Sequence, residues 1–173
     1  MALRPACAIR VEPVPPFSSL LMPFRSSTST PRLRPGYGLQ MQPELCWDRL
    51  NQLLELNGDR PRPTERWRLA LERSSWHLAI CREDGVLVGF VRVTSDLALN
   101  ANIWDLLVDL EDPAWEEVMT ALVQTALARL RREMAGCSVS LAAPPKAINA
   151  LTRAGFVVDP GGIRAMGLSL GKS

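Results

Sequence analysis

One histidine and one tyrosine in 173 residues remove most proton-handling chemistry before any motif is considered. His77 alone cannot build a His-rich metal site or a two-histidine mechanism, and no Gly-x-Ser-x-Gly elbow accompanies it to suggest a nucleophile triad. Set among Trp76, Leu78 and Ile80, it reads as a structural or surface residue. The four cysteines, Cys7, Cys46, Cys81 and Cys137, form no Cys-x-x-Cys pair, so they read as free thiols, with no zinc or redox site and no metal expected. Long apolar runs are also missing. Val14 to Phe24 is broken by Pro15, Pro16 and Pro23, and nothing approaches the roughly 20 apolar residues that span a bilayer, so a soluble chain with no membrane partner is expected. A net charge of +2 from 20 basic and 18 acidic residues is far from the concentrated basic charge of a dedicated nucleic-acid binder.

The charge that exists is unevenly placed. Residues 1–35 hold seven of the 14 prolines, seven Ser or Thr, and Arg4, Arg10, Arg25, Arg32 and Arg34 against the single acid Glu12, a net of +4. Residues 36–173 then carry 15 basic and 17 acidic groups, a net of −2. Proline removes backbone donors and Ser26 to Thr30 supply little apolar area, so residues 1–35 are expected to be a disordered or targeting-like tail. The cytoplasm is the compartment expected of such a chain. An organelle is expected instead if the Arg- and Ser-rich, acid-poor tail is a transit peptide, and a start codon assigned too far upstream leaves the same composition.

From Gly36 onward the pattern is that of an ordered domain, residues 36–173. Tyr37 to Met41 reads as a strand. Leu45, Leu50, Leu53, Leu54 and Leu56 mark a helical face over Glu44 to Leu56, ended by Asn57 and Gly58. Thr64 caps a second helix, Glu65 to Arg73. Trp76 to Arg82 and Val86 to Thr94 flank Glu83-Asp84-Gly85 as a hairpin. A third strand, Asn102 to Leu110, alternates so that Trp104, Leu106, Val108 and Leu110 share one face and Ile103, Asp105, Leu107 and Asp109 the other. Pro113 opens a long helix to about Met134, with Gly136 closing it and Asp112 placed as N-cap. Cys137 to Leu141 is a strand, Pro144-Pro145 start a short helix to Arg153, and Ile163 to Leu170 is a final strand. The fold class is α/β, a mixed and mostly antiparallel central sheet flanked by helices.

Three segments in this order carry a resemblance. The hairpin Trp76-His-Leu-Ala-Ile-Cys-Arg-Glu-Asp-Gly-Val-Leu-Val-Gly-Phe-Val-Arg-Val, the run Leu106-Leu107-Val108 before the long helix, and Ala147-Ile-Asn-Ala-Leu-Thr-Arg-Ala-Gly-Phe156 are similar to the corresponding segments of the GNAT superfamily of acyl-CoA N-acyltransferases. Together they cover about residues 36–170. The resemblance implies acetyl-CoA as cosubstrate and a small-molecule or protein amine as acceptor, joined by direct attack on the thioester. It places the backbone of Leu107, Val108 and Asp109 against the pantetheine arm and the thioester carbonyl, as preplaced donors to a developing oxyanion.

It also places the pyrophosphate loop on Pro113-Ala-Trp-Glu-Glu-Val118, so that Ala114, Trp115, Glu116 and Val118 are the cofactor-binding positions. Both glycines and the basic or amide residue of the family's [R/Q]-x-x-G-x-[G/A] are absent there. Asp112 competes for the amide donors, and Glu116 and Glu117 put negative charge where a phosphate would sit; Arg153 or Lys146 is an alternative basic contact. The tyrosine that many members carry four residues before Gly-Phe is Leu151. Asp105 and Asp109 are the candidate bases. Two functions follow: an N-acetyltransferase of an unidentified amine, or a GNAT-fold binding module without catalysis. A nucleic-acid binder acting through the basic tail fits less well with the net negative domain, and the oligomeric state is not legible.

Overall fold

The computed structural model describes residues 33–160; the strand expected over Ile163 to Leu170 lies outside them. Five strands form one sheet in the order β1-β2-β3-β4-β5, where β1 is Tyr37–Met41, β2 Trp76–Arg82, β3 Leu87–Ser95, β4 Asn100–Val108 and β5 Ser138–Leu141. The first three pairings are antiparallel and β4 with β5 is parallel. The parallel crossover is made by α3, Trp115–Glu133. The helices α1, Trp47–Leu56, and α2, Thr64–Glu72, fill the connection between β1 and β2. A 3-10 turn at Pro145–Ala147 leads into α4, Ile148–Arg153. The mixed, mostly antiparallel sheet expected from the sequence is the one observed. Thr64 is the first residue of α2 rather than its cap, and the N-cap is Pro63, whose extended backbone continues the Pro61 linker.

Each face of the sheet is buried under its own layer. Leu78, Ile80, Val91, Val93 and Val108 pack against Val118, Leu122, Ala126 and Leu130 of α3. On the opposite face Ala79, Phe90 and Leu107 meet Leu50, Leu53 and Leu54 of α1 and Trp67 of α2. The Trp67 and Phe90 rings stand edge-on with centroids 6.1 Å apart, the geometry favoured by the ring quadrupoles. Because both faces are covered, β2 and β3 read as near-continuous apolar runs.

Two positions set how closely the layers approach. A Cβ on Gly89 of β3 would lie 2.5 Å from Val118 Cγ1 and 3.1 Å from Leu122 Cδ1, so the start of α3 rests directly on the strand backbone. His77 is 8% exposed, its Nε2 lies 3.2 Å from the Pro43 carbonyl, and its ring faces Phe90 at 5.8 Å. Burial holds its pKa below the ordinary imidazole value, and the Pro43 contact opposes that only in part.

Gly89→Ala should therefore lower stability by about 1–3 kcal/mol through overpacking, measured by urea denaturation; an unchanged midpoint would show that α3 can lift off without cost. His77 favours its neutral form when folded, so the unfolded chain binds more protons below the ordinary imidazole pKa of about 6.5. Its contribution is complete above that pH and falls as the medium becomes more acid. Stability measured between pH 7.5 and 5 should drop more for the wild type than for His77→Gln.

Candidate functional site

The sheet opens where β4 leaves β5. Their parallel pairing runs from Asn100↔Ser138 to Ile103↔Leu141 and stops. From Trp104 to Val108, β4 keeps β3 on one side and has no strand partner on the other among the described residues. A bulge lies at this separation. The β3–β4 register passes from Phe90↔Leu107 to Arg92↔Trp104, so Asp105 and Leu106 share the place opposite Val91, and Asp105 takes a φ of 50°. An extra residue bends the bulged strand and increases its twist.

The bulge also corrects the alternation expected from the sequence. Ile103 lies with Leu106 and Val108 in the core under α3. Trp104 stands with Asp105 beside Arg92, on the face covered by α1 and α2.

Beyond the bulge the peptide planes have defined directions. The Asp109 N–H donates to the Val88 carbonyl at 2.8 Å, which turns the Val108 carbonyl of the same peptide away from β3. Alternation along the strand turns the Val108 N–H the same way. Leu107 and Asp109 direct their amides at β3, and the Leu107 side chain, 3% exposed, belongs to the core under α1. Of the three backbone residues singled out in the sequence, Val108 is the one facing the gap. Leu106 also turns its carbonyl there. That residue is not identified by sequence periodicity, although the adjacent pair Leu106-Leu107, apolar at two successive positions, is the trace of the bulge.

The Val108 carbonyl already has a partner. Asn57, which ends α1, donates from Nδ2 to Val108 O at 2.8 Å and to Leu53 O at 2.7 Å.

Both candidate bases are engaged by arginine. Asp105, with a side chain 6% exposed, pairs with Arg92 from β3 and with Arg62 from the linker at 2.8 Å, one guanidinium at each oxygen. Asp109 Oδ2 pairs with Arg49 of α1 at 2.6 Å, while Oδ1 accepts the Glu111 N–H at 3.0 Å. Arg49 also donates to the Leu87 carbonyl at 2.8 Å. The two carboxylates are on β4 or at its end as expected, but their oxygens face guanidinium groups rather than a free position in the gap.

The start of α3 differs from expectation in a way that matters for an anion. The helix begins at Trp115, its N-cap is Ala114, and no side chain caps it. Asp112 lies in the preceding turn, where its Oδ1 accepts the Ala114 N–H at 2.8 Å and the Tyr37 hydroxyl at 2.8 Å. That bond to Asp112 is also the main cause that raises the Tyr37 pKa. The Asp112 Oδ2 is buried without a hydrogen bond, and Arg82 Nη1 is 3.8 Å away.

Ala114 and Val118 are thus not open binding positions. The Ala114 amide is taken by Asp112, and the Val118 amide bonds Ala114 O at 2.9 Å while its side chain fills the space over Gly89. The Trp115 amide bonds Asp112 O at 3.0 Å. Only the Glu116 and Glu117 amides in this first turn lack a backbone acceptor among the described residues. Glu117 is paired with Arg34 across the entrance, and this hydrogen bond holds its carboxyl below the usual carboxylate range. Lys146 Nζ is 6.0 Å from the Trp115 ring centroid.

No protein-family model matches the chain. It is 31% identical over 121 residues to the uncharacterized N-acetyltransferase ycf52 of Porphyra purpurea, covering 68% of each protein. It is also 36% identical over 85 residues to the chloroplastic GCN5-related N-acetyltransferase 2 of Arabidopsis thaliana, a match spanning 49% of this chain and 32% of that protein. In fold it superposes on a GNAT family N-acetyltransferase of Escherichia coli in complex with CoA, with a TM-score of 0.56 and 16% identity over 72% of this chain and 71% of the other. The strand order, the gap beside β4 and the extent of the ycf52 match together place the chain in the GNAT superfamily of N-acyltransferases.

Proposed function

We propose that the chain transfers an acetyl group from acetyl-CoA to an amine by direct attack at the gap between β4 and β5. The observation that carries this reading is the outward-facing peptide of Val108, whose N–H points into an opening with the N-terminus of α3 nearby in the chain. A neutral amine nitrogen adds to the thioester carbonyl carbon, and the Val108 N–H donates a hydrogen bond to the oxygen on which negative charge develops. The C–S bond then breaks, and the proton lost by the amine passes through water to the departing sulfur. Leu151, 2% exposed in the core, offers no proton. A thiol of pKa about 8.5 is a tolerable leaving group without a dedicated acid. Asp105 and Asp109 act in this reading through the arginines they hold, not as free bases.

The phosphate end is the weak part of the site. Two free amides at a helix start attract an anion, but the Glu116 and Glu117 carboxylates flank them, and only the Arg34 pairing screens the second. Acetyl-CoA affinity is therefore low in this reading. The same feature favours a second function, a GNAT-fold binding module without turnover. An assay of free CoA release with a panel of amines separates the two. The Arg- and Ser-rich residues 1–32, ahead of the Arg34 that pairs with Glu117, together with the chloroplastic relative, support a plastid location with that segment acting as a transit peptide.

Replacing Glu116 by Gly and Glu117 by Gln should tighten acetyl-CoA binding by calorimetry, more at low salt than at high salt. Glycine in the first turn costs about 1 kcal/mol of stability; an unchanged Kd at both salt concentrations would place the phosphates elsewhere. Asp105→Ala should destabilise by about 3 kcal/mol, because Arg92 loses its partner in a largely buried setting. It should also lower kcat in proportion to the strand's loss of shape. Full activity with reduced stability would remove the bulge from the mechanism.

A further inference from the structure

At the point where β4 parts from β5, the bulge brings two consecutive side chains, Trp104 and Asp105, onto the face covered by α1 and α2. Asp105 is gripped there by Arg92 and Arg62. Arg92, 15% exposed, also reaches Ser74 Oγ at 3.4 Å and lies 5.8 Å from the Trp104 ring centroid. The Arg62 backbone is pinned by Asn51, which accepts its N–H at 2.9 Å and donates to its carbonyl at 3.0 Å. The Arg62 guanidinium stacks over Trp67 at 4.7 Å.

Two cations against one carboxylate leave a single positive charge, and Arg62 carries it at the surface. Its side chain is 36% exposed, and Nη1 is the one guanidinium nitrogen with a described hydrogen bond. Trp104, the strand neighbour of the Asp105 that Arg62 grips, is 45% exposed, with its ring held by an Nε1 bond to Thr94 Oγ1 at 2.9 Å. The result is a prepositioned guanidinium edge and a fixed aromatic face, linked through Asp105, at the start of the gap.

We propose that this spot selects the acceptor, and that the acceptor is an amine bearing a carboxylate, with its apolar body on Trp104 and its carboxylate on Arg62. The acceptor role rests on the acetyltransferase reading. A guanidinium fork matches the two oxygens of a carboxylate, and one surplus charge is matched by a monoanion better than by a phosphate dianion. The opposite assignment, an ammonium group on Asp105, fails because that carboxylate is nearly buried and has a guanidinium at each oxygen. A polyamine or lysine-rich acceptor would meet like charge.

The test uses the full chain. N-acetyl-L-phenylalanine and N-acetyl-L-phenylalaninamide serve as unreactive probes, read from the Trp104 indole N–H resonance, which is identified by its loss in Trp104→Phe. L-phenylalanine and L-phenylalaninamide serve as acceptors with acetyl-CoA, compared through KM because the two amines differ in basicity. The acid of each pair should be favoured about 10-fold, the size of one charge-assisted contact at a partly exposed site. Arg62→Gln should erase the preference and Arg62→Lys should keep part of it. Equal handling of acid and amide by the wild type, or a preference that survives Arg62→Gln in a folded variant, overturns the proposal. Preferential binding of the acid probe with no transfer to any amine leaves the site standing and removes the transferase reading. Transfer with no acid preference does the reverse.

Discussion

The centre of the molecule depends on the clamp of Arg92 and Arg62 around Asp105. Aspartate tolerates a φ near 50° better than most residues, and here two guanidinium groups fix its carboxylate from β3 and from the linker before α2. The clamp sits on the bulge, the bulge shifts the β3–β4 register, and the β4–β5 pairing ends at Ile103, two residues before it. The gap beside Val108 follows in the same strand. A largely buried cluster of charges thus lies at the point where the sheet opens.

The other constraint is the contact of α3 with Gly89. Val118 occupies the volume that any side chain at Gly89 would need, so the first turn of α3 is fixed in height above the sheet. This seats the Glu116 and Glu117 amides near the end of β4, while Asp112, Tyr37 and Arg82 tie the preceding turn to β1 and β2. The helix start is accurately placed yet chemically altered: its geometry suits an anion and its side chains do not.

Much of the fold was legible in the sequence because it rests on local signals. The Asp84-Gly85 turn, the three-and-four spacing from Met119 to Leu130, and the Pro144-Pro145 start of the short helix each act over a few residues, and the elements among the described residues follow the expected order. The bulge left only the trace of the Leu106-Leu107 pair, because the residues that grip it, Arg62 and Arg92, lie 43 and 13 positions from Asp105. The misassigned N-cap has a similar origin. Asp112 is the right residue type at a plausible distance, but the Tyr37 hydroxyl, 75 positions away, draws its carboxylate into the turn before the helix. At the candidate site, the family resemblance pointed to Leu107, Val108 and Asp109 and not to Leu106, and the strand pattern located Asp105 and Asp109 without revealing their partners. Long-range side-chain pairing, by ion pair or by hydrogen bond, was the missing information.

The Asn57 amide has a consequence for recognition. By bonding the Val108 carbonyl, it keeps an open strand edge from presenting an unsatisfied acceptor, so the protein needs no ligand to be comfortable there. A cosubstrate amide arriving at that carbonyl replaces a bond instead of creating one, and the exchange releases little enthalpy. Discrimination at this point then comes from shape and from expelled water, which would give binding a heat-capacity signature of desolvation more than one of polar pairing.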